Sequence, residues 1–160
     1  MQNNNSIEID EIPVERIDEF WEKHIKYLTE DGIITEPEDI EYFSGSEYRD
    51  AIKSRMLRNR DKLHMLYFLK EGERIGAAQF VTYQSEDGKC FLLDFWVFPE
   101  YRGNGTGRSC FYALERYVKK DGAVYFEINC SKQDSVRFWK SLGFVENGID
   151  EHGVPLFIRR

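Results

Sequence analysis

The sequence predicts an α/β or α+β fold: a mixed, mostly antiparallel sheet of six to seven strands with helices on both faces. Three observations predict it. Apolar residues recur at helical spacing in the first third of the chain, three strand-like runs separated by turn residues follow, and helix and strand then alternate to the end. No repeat, low-complexity tract or Pro/Gly/Ser-rich linker divides the chain, so residues 1–160 are expected to form a single domain.

Ile7 to Ile12 alternate apolar and acidic, as a half-exposed first strand does. Pro13 suits the first turn of a helix, in which Val14, Ile17, Trp21, Ile25 and Leu28 form one apolar stripe ending near Asp31-Gly32. A second helical stretch is predicted from Pro37 to Arg60, broken at Ser44-Gly45. Three strands follow at Leu63 to Leu69, Arg74 to Tyr83 and Lys89 to Phe98, divided by Glu71-Gly72 and Glu86-Asp87-Gly88. Beyond a glycine-rich turn, Cys110, Phe111, Leu114, Tyr117 and Val118 mark the buried face of a helix that stops near Asp121-Gly122. A strand over Ala123 to Asn129, a short helix carrying Val136, Trp139 and Leu142, and a last strand over Val154 to Ile158 complete the chain.

Composition narrows the functional classes. Hydrophobic residues make up 41% of the chain and charged residues 32%, a globular balance, and at this length folding buries roughly 70% of the unfolded chain's surface. A net charge of -7 argues against nucleic acid and anionic membranes as partners, since both need clustered Lys and Arg. The N-terminal MQNNNSIEID has neither a basic nor an apolar targeting region, and no apolar run approaches the roughly 20 residues of a membrane span, so a cytoplasmic location is expected. Cys90, Cys110 and Cys130 lack C-x-x-C spacing and are expected to be reduced core thiols. His24, His64 and His152 lie far apart, so no metal site is expected, and surface or core roles are assigned to them.

Chemistry concentrates in Leu92 to Tyr112, an apolar strand followed by Arg102-Gly103-Asn104-Gly105-Thr106-Gly107 and an amphipathic helix. Glycines there let successive N–H groups converge without Cβ obstruction, and the helix dipole adds roughly half a positive charge, which together make an anion site suited to a diphosphate. A dinucleotide fingerprint starting at Gly103 would need glycine where Arg108 stands, and no frame supplies a phosphate-loop G-x-x-x-x-G-K-[ST]. The pattern that fits is R-x-x-G-x-G.

This segment resembles the GNAT superfamily of N-acetyltransferases, whose signature [Q/R]-x-x-G-x-[G/A] follows a strand ending V-x-P-x-[YW]-R, matched here by Val97-Phe98-Pro99-Glu100-Tyr101-Arg102. A second match, Phe138-Trp139-Lys140-Ser141-Leu142-Gly143-Phe144, looks like the family's F-Y-x-x-x-G-F element and begins 36 residues after Arg102. The resemblance is strong from Cys90 to Phe144 and weak before it. It implies acetyl-CoA as co-substrate, with its pyrophosphate cradled by backbone N–H groups of Arg102, Gly103, Asn104, Gly105, Thr106 and Gly107, and charge added by Arg102 or Arg108. It also implies a splay between the two central strands, with the backbone of Phe95, Trp96 and Val97 pairing to the pantetheine arm, while those side chains serve core packing.

The implied reaction is direct attack of a neutral primary amine on the thioester. A carboxylate is the expected base. Asp94, charged inside an apolar strand, is the first candidate, with a structural hydrogen-bonding role as its alternative; Glu127 in the neighbouring strand is the second. Strand alternation sets Asp94 on the face opposite Phe95 and Val97 unless a bulge intervenes. Trp139 stands where many family members carry the tyrosine acid, and an indole N–H donates a hydrogen bond without delivering a proton. Lys132 stands where relatives often carry asparagine, and Asn129 is the alternative for those contacts. Glu30, Asp31, Glu36, Glu38, Asp39 and Glu41 crowd the connection that the resemblance sets beside the acceptor cleft, which suits a cationic small molecule such as a polyamine, amino sugar or aminoglycoside, with a solvated loop, the usual place of such charge, as the alternative. Two classes stay open: an N-acetyltransferase, monomeric or homodimeric, and a non-catalytic acyl-CoA-binding module.

Overall fold

The structure, a computed structural model, describes residues 6–160. Met1 to Asn5, part of the segment read for a targeting signal, lie outside the described residues. Twelve elements follow in order: β1 (Glu8–Glu11), α1 (Asp18–Glu30), α2 (Pro37–Ser44), α3 (Ser46–Met56), β2 (Leu63–Lys70), β3 (Glu73–Tyr83), β4 (Lys89–Val97), α4 (Thr106–Lys119), β5 (Tyr125–Asn129), α5 (Gln133–Ser141), β6 (Val145–Ile149) and β7 (Pro155–Arg159). A 3₁₀ turn over Val14–Arg16 leads into α1, and another over Pro99–Tyr101 follows β4.

The sheet runs β1-β2-β3-β4-β5-β7-β6, and every neighbouring pair is antiparallel except β4 with β5. Cys110, Phe111 and Leu114 of α4, Trp139 of α5 and Leu142 just after it pack on one face, against Leu66, Phe80 and Leu92. Phe20 and Trp21 of α1 and Tyr48 and Ile52 of α3 pack on the other, against Met65, Tyr67 and Trp96. β2 contributes to both cores, which explains why its sequence reads as an unbroken apolar run rather than an alternation.

Two details depart from the sequence reading. The expected single closing strand is a hairpin, β6 with β7, and β7 inserts between β5 and β6; β6 is exposed at every residue, so it lacks the apolar alternation that betrays a strand. The buried stripe of α1 is Phe20, Trp21, His24 and Leu28, with Val14 and Ile25 only half-buried, so a histidine occupies the place given to an isoleucine. No helix among the described residues is long and apolar enough to cross a membrane.

Candidate active site

β4 and β5 pair only through Lys89–Tyr125, Cys90–Phe126 and Phe91–Glu127, and beyond that last rung they separate. The expected splay therefore opens at Leu92. Two cavities meet across it, of about 620 Å³ on the side of the α4 N-terminus and about 560 Å³ on the side of Leu93 and Asp94, and they share Tyr27, Phe95, Lys132, Ser135 and Trp139 in their walls. Which backbone groups face the gap follows from one hydrogen bond. The N–H of Phe98 donates to the carbonyl of Ile75 on β3 at 2.8 Å. Backbone groups alternate sides along a strand, so those of Trp96 also face β3, while those of Phe95 and Val97 face the gap. Trp96 thus contributes its ring, stacked on Tyr27 at 4.4 Å, and not its main chain. The Val97 carbonyl already accepts from Arg102 Nε at 2.8 Å.

At the mouth of the larger cavity, Gly103, Asn104 and Gly105 all hold positive φ, 96°, 56° and 76°. A Cβ on Gly103 or Gly105 would meet nothing within 4 Å, so the open space beside these residues is available to a ligand. Gly107 differs: a Cβ there would lie 2.8 Å from Phe138, so this glycine lets α5 dock against the start of α4. The turn closes on itself through Thr106 N–H to the Gly103 carbonyl and Ser109 N–H to the Gly105 carbonyl. The amides of Gly103, Asn104, Gly105, Gly107 and Arg108 make no hydrogen bond among the described residues. The Thr106 amide, assigned to the cradle by resemblance, points inward instead. A row of unpaired donors at a helix start is an electropositive cup with the chemistry to fit a pyrophosphate.

The charged residues sort themselves around this cup. Arg108 lines it, with Nη2 at 3.4 Å from both the carbonyl and the hydroxyl of Ser141. Arg102 lines the same cavity, but its guanidinium is already engaged: Nη2 pairs with Asp31 at 2.6 Å, and Lys132 Nζ donates to the Asp31 carbonyl at 2.7 Å. The end of α1 is thereby tied to both loops that flank the gap. Trp139, buried and edge-on to Phe95 at 5.2 Å, donates its indole N–H to no acceptor among the described residues. Asn129 lines the smaller cavity and donates to Asp150 at 3.0 Å.

The two base candidates separate. β4 carries a bulge at Leu93, because Asp94 opposes Gln79 while Leu92 opposes Phe80. The bulge precedes Asp94, so its side chain still leaves the face opposite Phe95 and Val97, but it opens into the smaller cavity because the split exposes both faces. Its Oδ2 accepts from Gln79 Nε2 at 2.7 Å and lies 3.0 Å from His24 Nε2. Glu127 sits on the last paired rung, bound to Lys89 at 3.3 Å, and lines neither cavity. The closed end of the strand pair holds it away from the gap. Of the acidic stretch, Glu30 and Asp31 reach the cavity wall, whereas Glu36, Glu38, Asp39 and Glu41 stand outside it. Burial, with the charges of Asp94 and Asp31, raises the Tyr27 hydroxyl well above its ordinary value, so this residue offers a hydrogen bond rather than a proton.

Sequence reasoning missed His24 and Gln79. The signal was present for the second, the lone amide in an otherwise apolar stretch of β3 from Ile75 to Val81.

The site is thus a split central sheet with amides unpaired among the described residues at one mouth and a carboxylate at the other. Residues 19–144 match the acetyltransferase (GNAT) family, and the chain belongs to that family. The fold is similar to PaiA N-acetyltransferase from Thermoplasma acidophilum in complex with coenzyme A, with a TM-score of 0.70 and 23% identity over 97% of this chain and 99% of that one. It is also similar to a Salmonella typhimurium acetyltransferase that modifies the N-terminal serine of 50S ribosomal subunit protein L7/L12, with a TM-score of 0.66 and 15% identity over 97% and 95% of the two chains. AAC(6')-Ib in complex with ribostamycin and coenzyme A gives 0.69 and 15%, over 97% and 93%. No curated protein sequence matches. At these identities the likeness concerns the fold.

Proposed function

We propose that this chain is an N-acetyltransferase that moves the acetyl group of acetyl-CoA onto the primary amine of a small cationic acceptor. The observation that carries the reading is the five amides from Gly103 to Arg108, unpaired among the described residues, beside a gap into which Phe95 and Val97 turn their backbone groups. The cup holds the pyrophosphate, Arg108 adds charge, and the strand edge holds the pantetheine arm. The N–H of Phe95 or Val97 faces the position where the tetrahedral oxyanion forms.

Asp94 takes the proton of the attacking amine. Its Oδ1 makes no hydrogen bond among the described residues, which leaves that oxygen available to the cavity. Asp94 also attracts the acceptor: a carboxylate 4 Å from an ammonium contributes about 4 kcal/mol at an effective dielectric of about 20, before desolvation. The thiolate leaves without a tyrosine acid. Its ordinary value near 8.5 makes that departure cost only about 2 kcal/mol at neutral pH, which slows turnover without preventing it.

Thiol release from acetyl-CoA, followed across a panel of polyamines, amino sugars, peptide N-termini and uncharged amines at low and high salt, tests the proposal. Turnover with cationic acceptors and a KM that rises with salt are expected. Coenzyme A binding with no thiol release for any amine would assign the chain to the non-catalytic binding class.

A further inference from the structure

Asp94 is held from behind by two residues that no motif announces. Gln79 Nε2 and His24 Nε2 both converge on Oδ2, at 2.7 and 3.0 Å, from strand β3 and helix α1 respectively. The two nitrogens are themselves 3.2 Å apart. An ionised carboxylate accepts only, so both nitrogens present hydrogen to it, which places the His24 proton on Nε2 and orients the Gln79 amide with its nitrogen toward Asp94. That orientation leaves the fully buried Gln79 Oε1 without a partner among the described residues. Burying an acceptor without a partner is unfavourable, so this orientation of the amide is set by Asp94 rather than by its own hydrogen bonding.

His24 itself is 1% exposed, stacked on Phe20 at 5.2 Å and 28° and on Tyr48 at 5.9 Å and 10°. The aromatic packing fixes the plane of the ring, and the ring fixes one oxygen of Asp94. The other oxygen is left for the cavity.

The geometry points to His24 as a positioning residue for acetyl transfer: its Nε2–H, together with the Gln79 amide, clamps Oδ2 of Asp94 so that Oδ1 meets the acceptor amine. In the step it serves, the amine nitrogen bonds to the acyl carbon and its proton passes to Oδ1; the carbon–sulfur bond then breaks, coenzyme A leaves as the thiolate, and the proton on Oδ1 passes to water once the products depart. The inference rests on Asp94 being the base, which the first variant below tests separately.

Groups that titrate or carry charge around the clamp come from the elements packed on it: Tyr27 of α1, Tyr48 of α3 with Arg55 of the same helix and Tyr42 of α2 beyond it, Cys130 across the smaller cavity, and Asp31 paired to Arg102 across the gap. Burial, reinforced by the charge of Asp94, keeps both tyrosine hydroxyls above their ordinary value, so neither titrates near neutral pH.

The test is the pH profile of kcat at saturating acetyl-CoA and acceptor, which reports groups in the bound complex. Asp94→Asn asks whether Asp94 is the base; a variant that keeps kcat removes that reading and this inference with it. With Asp94 established as the base, His24→Phe keeps the stacking and removes the donor. We expect kcat to fall roughly tenfold or more, the KM for acetyl-CoA to hold, and the acidic limb to rise by about one pH unit, since the carboxylate loses a hydrogen bond to its charged form. His24→Gln restores an N–H and returns both quantities toward the wild type. Gln79→Met removes the second donor without touching the ring and moves the limb the same way. An acidic limb that stays in place in both His24→Phe and Gln79→Met would show that the ring serves packing only and would overturn the inference, while leaving the role of Asp94 intact.

Discussion

Two histidines of this molecule pair with carboxylates while stacked on aromatic rings, and they do so on opposite faces of the sheet, behind the neighbouring residues Phe80 and Gln79 of β3. His64 lies on Phe80 at 4.9 Å and 11°, with Nδ1 at 3.1 Å from Glu11 and Nε2 at 3.2 Å from Asp121. Both of its nitrogens are consumed by acidic partners, and Glu11 is itself capped by the Tyr117 hydroxyl. The pair joins β1, β2 and the segment after α4, and His64 lines neither cavity. His24 by contrast has one carboxylate, and that carboxylate keeps an oxygen free beside a cavity. The same two residue types thus make a staple where every polar atom is matched and a clamp where one is left over. What distinguishes them is the unmatched oxygen, and behind it the end of β4–β5 pairing at Phe91.

The comparison can be broken most sharply at the cavity end. Asp94→Asn is expected to lower kcat/KM by about 10²–10⁴ while acetyl-CoA binding, measured by calorimetry, stays near wild type. A loss confined to acetyl-CoA affinity would move the base elsewhere. Next in size is Gly105→Val, which places a β-branched residue at a φ of 76° and crowds the cup. Backbone strain of about 1–2 kcal/mol and the lost approach to the amides should weaken acetyl-CoA binding by roughly tenfold or more, seen as a higher Kd.

At the His64 staple the effect is on stability. Burial draws the His64 value down, but its hydrogen bond to Glu11 and the charges of Glu11 and Asp121 outweigh this and leave it raised above the ordinary 6.5. Burial likewise opposes, without overcoming, the hydrogen bonds from His64 and Tyr117 that lower Glu11 below 4.5. The contribution of His64 is therefore complete below about pH 6.5 and lost as pH rises through its raised value, whereas that of Glu11 is complete above 4.5 and lost as pH falls through its lowered one. His64→Gln should cost about 1 kcal/mol in urea unfolding near pH 5.5 and less near pH 9, with acetyl transfer unchanged. Smallest of all is Glu127→Gln, which breaks a half-buried pair with Lys89 outside the gap. Turnover within about twofold of wild type is expected, since surface pairs contribute about 1 kcal/mol or less.

How much of this was legible in the sequence follows from what each residue is paid attention for. β2, β3 and β4 were readable because apolar runs between Glu71-Gly72 and Glu86-Asp87-Gly88 have few alternatives, and the glycine turn before α4 was readable because three successive left-handed residues restrict composition. β6 was not, since an exposed edge strand buries nothing that would pattern it. His24 was passed over because a stripe is found by counting apolar residues, and a histidine buried by its partner 70 positions away breaks the count. The same distance effect misplaced Glu127: proximity of β5 to β4 was legible, but where the two strands part was not. Charge on α2 was visible, and its direction away from the cavity was not.

The central claim is that main-chain amides between Gly103 and Arg108 receive the cofactor. Amide NMR of the ¹⁵N-labelled protein titrated with coenzyme A tests it without relying on turnover. The account predicts large shifts at Gly103, Asn104, Gly105, Gly107 and Arg108, with Thr106, already bonded to the Gly103 carbonyl, moving least. Saturable binding that leaves these five resonances in place would contradict it.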